Sequence, residues 1–202
     1  MGRTPSITDE QILEAARQVF MEHGIRAPTA LLAQRAGVSE GTLFNRFSSK
    51  EGLFAQAMTF DSMASLEEAM LSLDAAGTIE EALEGLVVRL VHKMRVVFPR
   101  MMLMWASVTP RAFFQSMESP PPLRLLSGLE RWVRSRVEAG VLSAPDPQVF
   151  ARMILGLCTH FVFLEATGLT EHPAHDQADL PLENYARDAV RTLLDGSRGV
   201  PA

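Results

Sequence analysis

Residues 28–50, P-T-A-L-L-A-Q-R-A-G-V-S-E-G-T-L-F-N-R-F-S-S-K, decide how the rest of the chain is read. They spell two short helices joined by a tight turn, with the start of another helix directly behind. Leu31, Leu32 and Ala36 give the first helix an apolar face. Gly37 supplies its stop, because glycine reaches the left-handed conformation without a Cβ clash. Val38 is placed to plug the angle between the helices, and Ser39 is a natural N-cap for the helix Glu40 to Arg46. A helix of about seven residues does not hold itself up in water. Neighbours must brace it, while Glu40, Thr42, Asn45 and Arg46 form a polar outward face. This is the layout of a helix-turn-helix, whose second helix lies in the major groove of DNA.

Helical periodicity continues on both sides, and no strand-like alternation persists. Upstream, Thr8 and Gln11 have capping-box spacing. Ile12, Ala16, Val19 and Phe20 make the buried stripe of that helix, and Gly24 ends it. Pro28 or Thr29 opens the next. Downstream, Ser48 and Glu51 have the same capping-box spacing, which starts a helix at about Ser49. That helix runs through Leu53, Phe54, Ala57 and Met58, with apolar spacing that extends towards Met70, before the break D-A-A-G at 74–77.

The next helix is strongly amphipathic, with Ile79, Leu83, Leu86, Val87, Leu90, Val91 and Met94 at helical spacing. Pro99 is expected to stop or kink it. The triple proline 120–122 reads as a loop, and Leu123 to Ala139 as a helix with Leu126, Leu129, Val133 and Val137 inward and Gly140 as its stop. Asp146-Pro147 is a cap followed by proline at the first helical position, opening a helix to Thr167. There Phe150, Ile154, Leu157, Phe161 and Leu164 fall on one face, and Leu155, Val162 and Phe163 on the other. A helix apolar nearly all round needs cover on two sides, which predicts a homodimer interface, with the last helix, Leu182 to Leu194, alongside. The plain alternative is a central core helix. The polar segment between them, 168–181, reads as a loop.

Composition narrows the class. Of 202 residues, 47% are hydrophobic, too many for a disordered chain. One cysteine, Cys158, makes no internal disulfide. The longest uncharged, largely apolar run, 153–164, is shorter than the roughly 20 residues of a membrane span, and the N-terminus carries no signal-like apolar run. A soluble cytoplasmic protein is the expectation. Net charge is −5, but residues 1–50 hold six Lys/Arg against five Asp/Glu, and the remainder 13 against 19. A mildly basic end on an acidic body permits phosphate binding at that end only.

Residues 12–20 (I-L-E-A-A-R-Q-V-F), Gly24, 28–33, 36–47 (A-G-V-S-E-G-T-L-F-N-R-F) and 49–53 (S-K-E-G-L) together resemble the N-terminal pattern of the TetR family of transcriptional regulators. The resemblance implies an all-α protein: a three-helix helix-turn-helix DNA-binding domain over 1–50, and a larger helical ligand-binding and dimerisation domain over 51–202. It implies a ligand-responsive regulator, in the first instance a repressor, bound as a dimer to a palindromic double-stranded operator. A small, largely apolar effector would shift the spacing of the two DNA-reading heads, with the helix after residue 49 as the lever. There are departures. The family's recognition helix usually ends Tyr-x-His-Phe, where this chain has Phe44-Asn45-Arg46-Phe47. Phe44 lacks the phosphate-bonding hydroxyl, while Arg46 offers a stronger phosphate ligand than histidine. Glu40 stands where a basic residue is common, which either lowers affinity or favours a cytosine contact.

The candidate DNA contacts are therefore Thr29, Ser39, Glu40, Gly41, Thr42, Phe44, Asn45, Arg46 and Lys50. Thr42 suits a thymine methyl and Asn45 an adenine. Helix starts at Thr29 and Ser39 offer backbone N–H groups to phosphate. Gly41 lets the backbone lie close to DNA, and Lys50 resembles the family's phosphate-binding lysine. Solvated polar residues and simple caps are the plain alternatives. For the effector, the adaptable side chains Met94, Phe98, Met101, Met102, Trp105, Phe113, Phe114 and Met117 are the candidate pocket, with core packing as the alternative. His92 and His160 read more simply as satisfied core histidines than as ligand contacts. His172 and His175 lie in an acid-flanked loop, but no metal site, catalytic constellation or cofactor motif is expected. A helical interaction protein without DNA binding, and a helical enzyme, are the competing classes.

Overall fold

The computed structural model describes residues 7–58, 77–107, 114–115, 118, 120–144, 146–172 and 180–195. The described residues form eight α-helices: α1 Asp9–His23, α2 Thr29–Ala36, α3 Glu40–Phe47, α4 Lys50–Ala57, α5 Ile79–Ser107, α6 Pro121–Glu138, α7 Pro147–Ala166 and α8 Leu182–Asp195. They divide into two compact units. One contains residues 1–60 and 99–116, the other 61–98 and 117–202.

The first unit is built from local stop and start signals. Thr8 and Gln11 form the expected capping box, each side chain meeting the other's backbone N–H. Ile12, Ala16, Val19 and Phe20 are buried, and Gly24 closes α1 at a positive φ with its N–H on the Phe20 carbonyl. The Phe20 ring stands edge-on to Phe54, 5.0 Å away, so α1 and α4 share one aromatic contact. Arg17 donates from Nε to the Ala57 carbonyl at 2.8 Å, placing a cation on the C-terminus of α4.

The junction between α3 and α4 corrects the expected cap. Ser48 ends α3 at a positive φ, 65°, with its N–H on the Phe44 carbonyl. Ser49 is the N-cap of α4, its hydroxyl accepting the Gly52 N–H at 2.9 Å. Two residues must reverse the chain here. The first takes the turn, so only the second is free to cap.

In the second unit, Leu83, Leu86, Val87, Leu90 and Val91 of α5 are buried together with Leu129 and Val133 of α6, Ile154, Cys158 and Val162 of α7, and Ala186 and Val190 of α8. Arg95 and Glu165 form a two-point ion pair at 2.9 and 2.7 Å, joining α5 to α7. The Tyr185 hydroxyl donates to the Leu157 carbonyl at 2.9 Å and joins α8 to α7.

Three expectations are narrowed or changed. Of the two outcomes expected at Pro99, a stop is excluded: α5 runs through it to Ser107, because proline deletes one backbone bond while its neighbours hold the rest. The triple proline is not all loop, since Pro121 opens α6, where a missing N–H costs nothing. On α7 the buried row is Phe150, Ala151, Ile154, Cys158 and Val162, so Val162 belongs to the core face, while Leu157 and Phe161 sit at its half-buried edge. Burial pushes the Cys158 thiol up to about 12, which leaves it protonated and unreactive at neutral pH.

Candidate nucleic-acid interface

α3 has two buried anchors, Leu43 and Phe47. Its other fixings are polar and lie at its ends. At its start, the Ser39 hydroxyl accepts the Thr42 N–H at 3.1 Å and lies 2.9 Å from the Thr42 hydroxyl. Such a cap is worth about 1 kcal/mol. The Thr29 hydroxyl donates to the Glu40 carboxylate at 2.5 Å, so the starts of α2 and α3 adjoin. No side chain caps α2 behind Pro28, which leaves its first N–H groups to water or to an anion. At the far end of α3, Arg46 donates from Nη1 to the Ile7 carbonyl at 2.7 Å and to Asp9 Oδ1 at 3.0 Å.

The nine candidate DNA contacts are thus distributed over three helix starts and one helix face. Ser39, Glu40, Gly41, Phe44, Asn45 and Arg46 are exposed; Thr29, Thr42 and Lys50 are half-buried. Phe44 is 40% exposed, a large apolar side chain left in water beside Asn45. A Cβ placed on Gly41 would meet only the Ser39 hydroxyl, at 3.8 Å, so nothing among the described residues demands glycine there. Two further residues of this region carry no sequence signal of their role. Asp9 and Ile7 hold the end of α3 from 37 and 39 positions away, with only an ordinary acidic helix start to announce them. Gly52 matters for the opposite reason to Gly41: a Cβ there would stand 2.5 Å from the Phe47 carbonyl oxygen.

The effector candidates are more dispersed. Met94 and Phe98 belong to the second unit, where Met94 receives the Thr159 hydroxyl at 3.7 Å and Phe98 meets Phe163 edge-on at 6.3 Å. Met101, Met102, Trp105 and Phe114 belong to the first unit, with Met102 and Trp105 exposed. Phe113, Met117 and His175 lie outside the described residues. His92 and His160 are exposed rather than core residues.

A short helix, braced at both ends behind a left-handed glycine turn and showing a polar face, defines a helix-turn-helix DNA-binding protein. Comparison with known proteins makes this specific. The family described as bacterial regulatory proteins, tetR family, matches residues 12–57, and the AefR-like transcriptional repressor C-terminal domain matches 87–196. The uncharacterized HTH-type transcriptional regulator YvkB of Bacillus subtilis (strain 168) is 30% identical over 174 residues, covering 78% of this chain and 84% of that one. Among solved structures, the TetR family transcriptional regulator PfmR from Thermus thermophilus covers 93% of this chain and 99% of its own at TM-score 0.63 and 22% identity. The regulator FadR from Bacillus subtilis, in complex with stearoyl-CoA, covers 94% and 99% at TM-score 0.67 and 17% identity. At such identities the likeness is one of fold. The chain belongs to the TetR family: it is a DNA-binding transcriptional regulator and not an enzyme. α7 is long and apolar enough to cross a membrane by length and composition alone, with a mean hydropathy of 1.6 over its most apolar stretch, and one row of it is buried in the second unit.

Proposed function

We propose that this protein is a cytoplasmic, ligand-responsive repressor that binds a palindromic operator as a homodimer. The observation that carries the reading is the exposed face of α3, with adjoining helix starts beside it, inside a segment that matches the family's DNA-binding domain. In this reading Thr42 and Asn45 meet base edges. The first N–H groups of α2 and α3 and the Lys50 ammonium take phosphates, which position the helix without reading sequence. Phe44 supplies apolar contact at the groove. Selection of bound duplexes from a random pool tests this: the recovered sites should be two inverted half-sites about one helical turn or slightly more apart. Recovery of asymmetric or unrelated sequences would overturn it.

The dimer reading rests on α7 and α8. Val149, Met153, Gly156, His160 and Phe163 recur at helical spacing along α7 and all are exposed; Met153 is 50% exposed. Beside them lies an open, largely apolar groove of about 480 Å³ lined by Met153, Leu157, Leu180, Tyr185, Ala189 and Leu193. A Cβ on Gly156 would enter open space. No contact among the described residues explains a glycine in mid-helix, whereas a closely approaching partner helix does. Gly156→Glu should therefore convert the protein to monomer in sedimentation velocity, and its melting temperature should no longer rise with protein concentration. A dimer that survives this change would place the interface elsewhere.

The effector is proposed to be small and largely apolar. FadR is solved with stearoyl-CoA, whose acyl chain is apolar while its coenzyme A head is charged. By binding one conformation more tightly it would change the separation of the two heads and release the operator. The lever assigned to the helix after residue 49 is described only to Met58; its continuation towards Met70 lies outside the described residues.

A further inference from the structure

The geometry points to Asp9 and Arg46 as a positioning pair: together with the Ile7 carbonyl they clamp the last turn of α3 to the start of α1, so that Arg46 sets the aim of the recognition helix and is not one of its phosphate ligands. The inference rests on the DNA-binding reading above.

α3 needs such a device. Its start is fixed by Ser39 and by the Thr29–Glu40 bond, but its last turn carries only Phe47 as a buried anchor. Asn45, the residue best suited to read a base, lies in that last turn. Arg46, its neighbour, ties the turn to a different helix start: Nη1 reaches both the Ile7 carbonyl and Asp9 Oδ1. Ile7 is itself held. Its Cδ1 lies 3.4 Å from where a Cβ of Gly37 would be, so its side chain covers the turn between α2 and α3. One residue thus touches the turn before α3 with its side chain and the end of α3 with its carbonyl. The Asp9 carboxylate also cancels much of the guanidinium charge, which weakens Arg46 as a phosphate ligand. An exposed pair of this kind contributes little to overall stability. Its effect is on where the last turn points.

The test compares Asp9→Ala, Arg46→Gln, the double variant and Glu10→Ala, using a selected operator, a version mutated at the base read by Asn45, and a series of salt concentrations. Glu10→Ala removes the same charge from the same helical turn without touching Arg46. The clamp predicts that Asp9→Ala weakens operator binding about fivefold and Glu10→Ala does not. It predicts a double variant no weaker than Arg46→Gln alone, because both changes break one interaction. It also predicts an unchanged salt slope, with a smaller preference for operator over mutated site. Loss of stability alone would not move that preference, and melting curves identify a variant that has unfolded. If Arg46 instead held a phosphate, Asp9→Ala would bind as wild type or more tightly, and Arg46→Gln would flatten the salt slope by about 0.9. Either result overturns the clamp while leaving DNA binding intact. A wild-type protein that binds no duplex at all overturns both readings.

Discussion

Replacing Gly52 by alanine is expected to abolish operator binding and to lower the melting temperature by roughly 6–12 °C, for a loss of about 2–4 kcal/mol. The cause is a single methyl group. Gly52 sits in the first turn of α4, and its N–H donates to the Ser49 cap. A Cβ there would lie 2.5 Å from the Phe47 carbonyl oxygen and 3.3 Å from the Ser49 hydroxyl. Non-bonded carbon and oxygen rest at about 3.3–3.6 Å. Phe47 is the last residue of α3 and a buried anchor, so its carbonyl cannot move without moving the recognition helix. Either α4 shifts and loses its cap, or α3 shifts and loses its aim. Gly85→Ala on α5 is the matched control. Its Cβ would meet only the tip of the flexible Arg89 side chain at 3.2 Å, and alanine is the better helix former. It should be neutral or stabilising. Thermal unfolding and an operator titration of both variants decide the matter; a normal melt for Gly52→Ala would mean that the α3–α4 junction is looser than its packing indicates.

How much of this is legible in the amino-acid order follows from how far each signal reaches. Signals that act within four residues agree with the structure: the Thr8–Gln11 capping box, Gly24 and Gly37 as stops, Ser39 and Asp146 as caps. Each depends on one side chain meeting its own backbone, or on one residue's conformational freedom. Where two neighbouring residues compete for one role, the order alone does not choose between them. Ser48 and Ser49 are chemically the same, and only the positive-φ turn at Ser48 decides which of them caps. Prolines mislead for a related reason. A proline is harmless at the first position of a helix and survivable inside a long one, and composition does not say which applies to Pro121 or Pro99. The periodicity puts Val162 on the wrong face of α7 because a helix apolar almost all round carries a weak directional signal. Within the candidate interface, the outward residues of α3 are legible from its 3.6-residue period. The support from Ile7 and Asp9 is not, since a contact spanning 37 positions leaves no local trace.

Gly41→Ala is expected to separate folding from function in the opposite direction to Gly52. Gly41 is exposed, in the first turn of α3, and a Cβ there meets nothing closer than the Ser39 hydroxyl at 3.8 Å, an ordinary contact. Glycine within a helix costs about 0.5–1 kcal/mol relative to alanine, so the substitution should hold or raise the melting temperature. The fold therefore carries a small penalty that no described contact offsets. If the start of α3 lies against the wall of the major groove, the absent side chain is what allows its backbone to approach. Alanine should then weaken operator binding about tenfold, equivalent to about 1.4 kcal/mol, across operators of every sequence, because the displaced contact is to the backbone of the duplex. Asn45→Ala differs in kind: it should lose preference at one base position and keep the rest. The decisive comparison is melting temperature against affinity for the same Gly41→Ala protein. A variant that melts higher and binds as well as wild type would remove the start of α3 from the interface, and leave its last turn, with Asn45, as the part that reaches the bases.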